Sequence, residues 1–100
     1  MQRPSDGRIH ASERDSANQE IALTVCVVTE PDPGALLRVL ERFRNINIMP
    51  LRTLAEVEPS GILRIRLELA EMDVDRLALI TARIQNVPSV LDATWCRAEL

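Results

Sequence analysis

Residues 30–43 read EPDPGALLRVLERF, which places an acid, two prolines and a glycine directly ahead of an apolar helical repeat. In this order the residues make a helix start. Asp32 can cap it, Pro33 fits the first helical position, where its missing N–H costs nothing, and Gly34 and Ala35 follow. A helix start also presents backbone N–H groups at the positive end of the helix dipole, and Gly34 has no Cβ to block an approaching anion. Two readings are open: capping alone, or a seat for a small anion or amino acid formed by the amides of Gly34, Ala35 and Leu36.

Little else in the chain could do chemistry. There is no Tyr and no Lys, and the single His10 lies in a polar head, so no base and nucleophile pair up and no enzymatic activity is expected. Asp73 and Asp75 suit a helix cap and a first-turn charge. Cys26 and Cys96 lack C-x-x-C spacing and fall in apolar runs, so they read as buried small hydrophobes; a bridge between neighbouring strands is the other option. With one histidine, and that one in the head, no metal site or other cofactor is expected.

Composition narrows the partners. All twelve basic residues are Arg against fifteen acids, and the net charge of −3 gives no electrostatic reason to approach nucleic acid or an anionic membrane. Aromatic residues make up 2% of the chain, too few to stack bases on a sheet. No apolar run nears the roughly 20 residues that span a bilayer. The beginning lacks the apolar stretch of a secretion signal, so the cytoplasm is the expected compartment.

These residues need elements to position them. Residues 1–19 are polar and aperiodic, a tail that is disordered or surface-bound, or else a docking arm for a larger subunit; residues 20–100 form one domain. IALTVCVVTE, residues 21–30, is apolar on both faces and suits a central strand. Leu36, Val39, Leu40 and Phe43 then recur at helical spacing. INIMPLRTLAEVE, residues 46–58, predicts a second strand, held to a sheet edge by Pro50 inside it. Glu58-Pro59-Ser60-Gly61 has the pattern of a type I turn closing a hairpin.

GILRIRLELA, residues 61–70, alternates Leu63, Ile65, Leu67 and Leu69 with Arg64, Arg66 and Glu68, a strand with one buried face. Asp73 can cap a second helix with a Leu77, Ile80, Ile84 stripe and Met72 stapled onto Leu77; residues 87–98 read as a last, short strand. The order βαββαβ predicts an α+β, ferredoxin-like fold, a four-stranded antiparallel sheet with two helices on one face.

VVTEPDPGALLRVLERF followed by NIMPL resembles the ACT domain, a small regulatory module that binds amino acids. Gly34, Ala35, Leu36, Arg38, Val39, Phe43, Asn47 and Ile48 match the family pattern in type, and the resemblance covers residues 21–97. Within the family the chain looks nearest to the regulatory small subunit of acetolactate synthase and to short stand-alone members. The resemblance implies a homodimer that senses a small, branched-chain amino acid and allosterically controls a biosynthetic enzyme such as acetolactate synthase. The ligand would sit where Asp32, Pro33, Gly34, Ala35 and Leu36 of one subunit face Ile46, Asn47 and Ile48 of its neighbour. The amides of Gly34 and Ala35 would hold its carboxylate, Asp32 its ammonium, and Ile46 and Ile48 its side chain. The competing reading is a ligand-free dimerisation or docking module of the same fold.

Overall fold

The computed structural model describes residues 20–98. Its elements are β1 (Leu23–Thr29), α1 (Ala35–Asn45), β2 (Arg52–Val57), β3 (Leu63–Leu69), α2 (Val74–Gln85) and β4 (Val90–Arg97). The strands form one antiparallel sheet in the order β2-β3-β1-β4, so β1 and β3 are central and β2 is an edge. This is the βαββαβ, ferredoxin-like architecture that the order of sequence patterns predicts.

Strand periodicity decides which side chains meet the helices. Leu23, Val25 and Val27 of β1 and Ile65, Leu67 and Leu69 of β3 join Val39 and Phe43 of α1 and Leu77, Ile80 and Ile84 of α2 in a single buried cluster. Leu36 and Leu40 complete the α1 stripe at the margin of this core, and Met72 packs on it from ahead of α2. With so few aromatic residues, cohesion comes from aliphatic side chains, each contributing about 1.5–3 kcal/mol on full burial.

The turn chemistry reads as the sequence predicts. The Gly61 N–H donates to the Glu58 carbonyl at 2.8 Å, and Gly61 takes φ +95°, a conformation that glycine adopts without strain. A Cβ there would also lie 3.0 Å from the Pro31 ring, so the hairpin packs closely against the start of the β1–α1 connection. Asp73 caps α2 by accepting the Arg76 N–H at 2.7 Å.

Three expectations are corrected. Pro50 lies ahead of β2 rather than inside it, since pairing begins at Arg52; β2 is nevertheless the edge. β4 is not short: its eight residues make it the longest strand. Cys26 and Cys96 are exposed, not buried. Two helices cover only one face of the sheet, and both thiols lie on the other, although their strands do adjoin. The polar head, residues 1–19, lies outside the described residues.

Candidate functional site

The connection from β1 to α1 is built around Asp32. Its Oδ1 accepts the Gly34 N–H at 2.9 Å, its main-chain carbonyl accepts the Ala35 N–H at 3.0 Å, and its Oδ2 accepts from Arg38 Nη1 at 2.6 Å. The regular helix starts at Ala35, with Gly34 in the flanking position in αR geometry and without a side-chain cap bond of its own. Asp32 therefore acts as the cap from two residues upstream, as an Asx turn does. The Gly34 bond is the largest influence holding the Asp32 carboxyl below its ordinary pKa; the Ser89 hydroxyl and the Arg38 guanidinium act in the same direction, and partial desolvation opposes them. Asp32 is ionised at neutral pH.

Ser89 closes the back of this turn. Its carbonyl accepts the Glu30 N–H at 2.8 Å, which ties the end of β1 to the start of β4. Its hydroxyl is buried beside Asp32, whose ionised form it favours, though it stops short of a full hydrogen bond to any described residue.

A groove of about 540 Å³ opens between this turn and the hairpin, lined by Pro31, Asp32, Pro33, Leu36, Ala55, Val57, Gly61 and Leu63. Among the described residues Asp32 is its only charged wall. The groove exists because no helix covers the edge strand: every residue of β2 is exposed, and Val57 keeps 70% of its surface free.

The expected site residues separate into two groups. Asp32, Pro33 and Leu36 line the groove. Gly34 and Ala35 do not, and their amides are not free, because Asp32 already occupies both. Ala35 is also fully buried. The proposed seat for an external carboxylate on these two amides is therefore filled by Asp32 itself, through its carboxylate at Gly34 and its carbonyl at Ala35.

Ile46, Asn47 and Ile48 lie at the other end of α1, about 16 Å away for an eleven-residue helix. There the Asn47 N–H donates to the Arg44 carbonyl at 3.0 Å and the Ile48 N–H to the Phe43 carbonyl at 2.9 Å. Asn47 has φ 60°. This is a Schellman termination with asparagine in the left-handed position, where glycine is the usual residue. Ile48 is buried in the core with Phe43 and keeps only 7% of its surface free. Ile46 is half-buried against the same core, and its carbonyl accepts from Arg76 Nη2 at 2.7 Å. Asn47 and Ile48 help to line a separate groove with Met49 and Pro50. Within one chain the two groups do not meet.

Several residues in or beside the groove are not among the expected site residues. Arg38, which reaches the groove only through its bond to Asp32, is signalled by its position six residues after Asp32, which returns it to the helix mouth. Ala55, Val57 and Leu63 carry no local signal, because only the hairpin register brings them there. Ser89 is distant in sequence and reaches Asp32 through β1–β4 pairing.

No sequence-family model matches the chain, and no curated protein matches it in sequence. Solved structures do match. The crystal structure of the ACT domain from GTP pyrophosphokinase of Chlorobium tepidum superposes with a TM-score of 0.66 at 13% identity, covering 76% of this chain and 97% of that one. The fold is that of an ACT domain. An uncharacterized protein from Thermotoga maritima superposes on the ACT-like chain with a TM-score of 0.64 at 18% identity, over 79% of this chain and 98% of its own. The C-terminal domain of the MgtC protein from Mycobacterium tuberculosis gives 0.62 at 14% identity, over 81% and 90%. Among the described residues of this ACT fold there is no cluster of three or more metal-ligating side chains, and no helix long and apolar enough to cross a membrane.

Proposed function

We propose that the chain is a regulatory ACT-like module that binds a small apolar amino acid and passes the binding on through a second copy of itself. The observation that supports this is the groove at the α1 mouth, where an ionised Asp32, with the Arg38 guanidinium bonded to it from beside the groove, stands at the end of an apolar trough. A zwitterion suits that arrangement. Its ammonium meets Asp32, its carboxylate meets the Arg38 N–H groups that Asp32 leaves free, and an aliphatic side chain lies along Leu36, Ala55, Val57 and Leu63. The module is proposed to bind rather than catalyse: among the described residues the groove holds one carboxylate and no nucleophile to work with it.

The second copy is proposed from β2. Its outer edge has no strand partner among the described residues, and both of its faces are exposed. Edge-to-edge pairing of β2 with its counterpart would carry Ala55 and Val57, and the groove with them, to the border between subunits. A ligand that favours one such arrangement is regulatory by linkage. Control of a biosynthetic enzyme in the cytoplasm, acetolactate synthase among the options, belongs to the same proposal.

Thermal unfolding of the full chain against each of the twenty amino acids tests the reading. A ligand at 100 times its Kd adds about 2.7 kcal/mol of stability. Light scattering at micromolar concentration should give about twice the 11.2 kDa chain mass. A ligand-free docking module of the same fold is favoured by the Asp32 cap, which already satisfies the Gly34 and Ala35 amides. That reading predicts a dimer whose unfolding no amino acid shifts.

A further inference from the structure

The face of the sheet opposite the helices carries an arrangement that the amino-acid site does not use. In the β1–β4 register Thr24 stands opposite Cys96 and Cys26 opposite Thr94, so the four side chains make a two-by-two block on one face with the thiols on a diagonal. Both cysteines are exposed. Diagonal neighbours on an antiparallel pair are about 7–8 Å apart, with their Cβ atoms somewhat closer.

That spacing decides between the chemistries open to two thiols. A disulfide needs sulfurs about 2.05 Å apart and Cα atoms usually within about 6.8 Å, and beyond about 7 Å it cannot close without moving the backbone. β1 and β4 are held in register along their length, with one shift between Val28 and Thr29 on the side of Cys26 away from Cys96, so the backbone resists that movement. A metal bridging two thiolates adds two bonds of roughly 2.3 Å, which sets the sulfurs about 4.6 Å apart and suits the diagonal. Zinc would require further ligands, and no third histidine, cysteine or carboxylate joins the pair among the described residues. Soft thiolate ligands select Cu(I), for which two of them suffice in a linear arrangement.

We propose that Cys26 and Cys96 form a two-coordinate, intrachain site for a soft monovalent cation of the Cu(I) type on the open face of the sheet. Binding replaces the two thiol protons with one cation and involves no change of oxidation state. The occupied site would clip β4 to β1 on the face away from the groove.

The test is an anaerobic titration of the reduced full chain with Cu(I) against a chromophoric Cu(I) chelator, with native mass spectrometry for stoichiometry. One Cu(I) per chain is expected, with affinity lowered at least tenfold in Cys26→Ser and in Cys96→Ser separately and unchanged in His10→Ala. Dibromobimane, which becomes fluorescent only after alkylating two thiols, checks proximity in the unaltered chain. It should give a fluorescent product of single-chain mass. No binding, binding that survives either serine variant, one metal per two chains, or only singly alkylated product would each overturn the proposal.

Discussion

The two ends of α1 were expected to face each other across a subunit boundary as halves of one site, and their local chemistry is quite different. At the C-terminal end every distinctive residue has a structural duty: Asn47 supplies the left-handed turn, Ile48 anchors it in the core beside Phe43, and Arg76 covers the Ile46 carbonyl. At the N-terminal end the cap is satisfied as well, yet an ionised Asp32, a half-exposed Arg38 and the buried Ser89 hydroxyl are left around an apolar groove. A motif that resembles a ligand-binding family's can thus serve the fold at one end and, at the other, leave the charged groups on which the proposed site draws.

Substitutions separate these roles, and the largest stability effects belong to the C-terminal end. Ile48→Ala removes a buried anchor and should cost about 3 kcal/mol in urea unfolding, within the range for aliphatic truncations in cores. Asn47→Ala puts an ordinary Cβ residue at φ 60° and should cost about 1 kcal/mol, whereas Asn47→Gly should be close to neutral. None of the three should alter amino-acid affinity in calorimetry. A large affinity loss in Asn47→Gly would return that end to the site.

At the mouth the expected stability effects are smaller and the binding effects larger. Asp32→Asn should lower the melting temperature at pH 7 and abolish ligand-induced stabilisation. The folded-state pKa of Asp32 is depressed, so its contribution is fully present above the unfolded carboxylate value of about 3.9 and is lost as the pH falls through the lower folded value. The melting difference between the two chains should therefore hold from pH 7 to pH 5 and close as the solution is acidified below about pH 4. Gly34→Val should disturb stability least, because its new Cβ meets the flexible end of Arg38 at 3.2 Å rather than backbone. It should still impair binding by displacing the guanidinium from Asp32. Unchanged affinity in this variant would remove Arg38 from the site.

The fold was legible because local patterns agreed with one another. The Leu63-to-Leu69 alternation, the α1 stripe and the Glu58–Gly61 turn each correspond to a strand, helix or hairpin in the structure. Two errors concerned strand bounds, at Pro50 and in β4, and the third came where apolar sequence was equated with burial. Cys26 lies in a strand apolar on both faces, but only one face of the sheet is covered. The candidate site was half legible. Asp32 and Leu36 stand in one contiguous motif, whereas Val57, Leu63 and Ser89 reach them only through strand register. That the Gly34 and Ala35 amides are occupied was hidden for another reason: one aspartate can cap through both its carboxylate and its carbonyl, and residue type alone does not show this.

The central claim is that the α1 mouth, and not the C-terminal turn, receives the ligand. Its most direct test is a titration of the ¹⁵N-labelled chain with each of the twenty amino acids, followed by amide chemical shifts. For at least one aliphatic amino acid the account predicts saturable shifts concentrated at Asp32, Gly34, Arg38, Val57 and Ser89, with Arg44 and Asn47 unmoved. Shifts centred on Asn47 and Met49, or no saturable shift with any of the twenty, would contradict it.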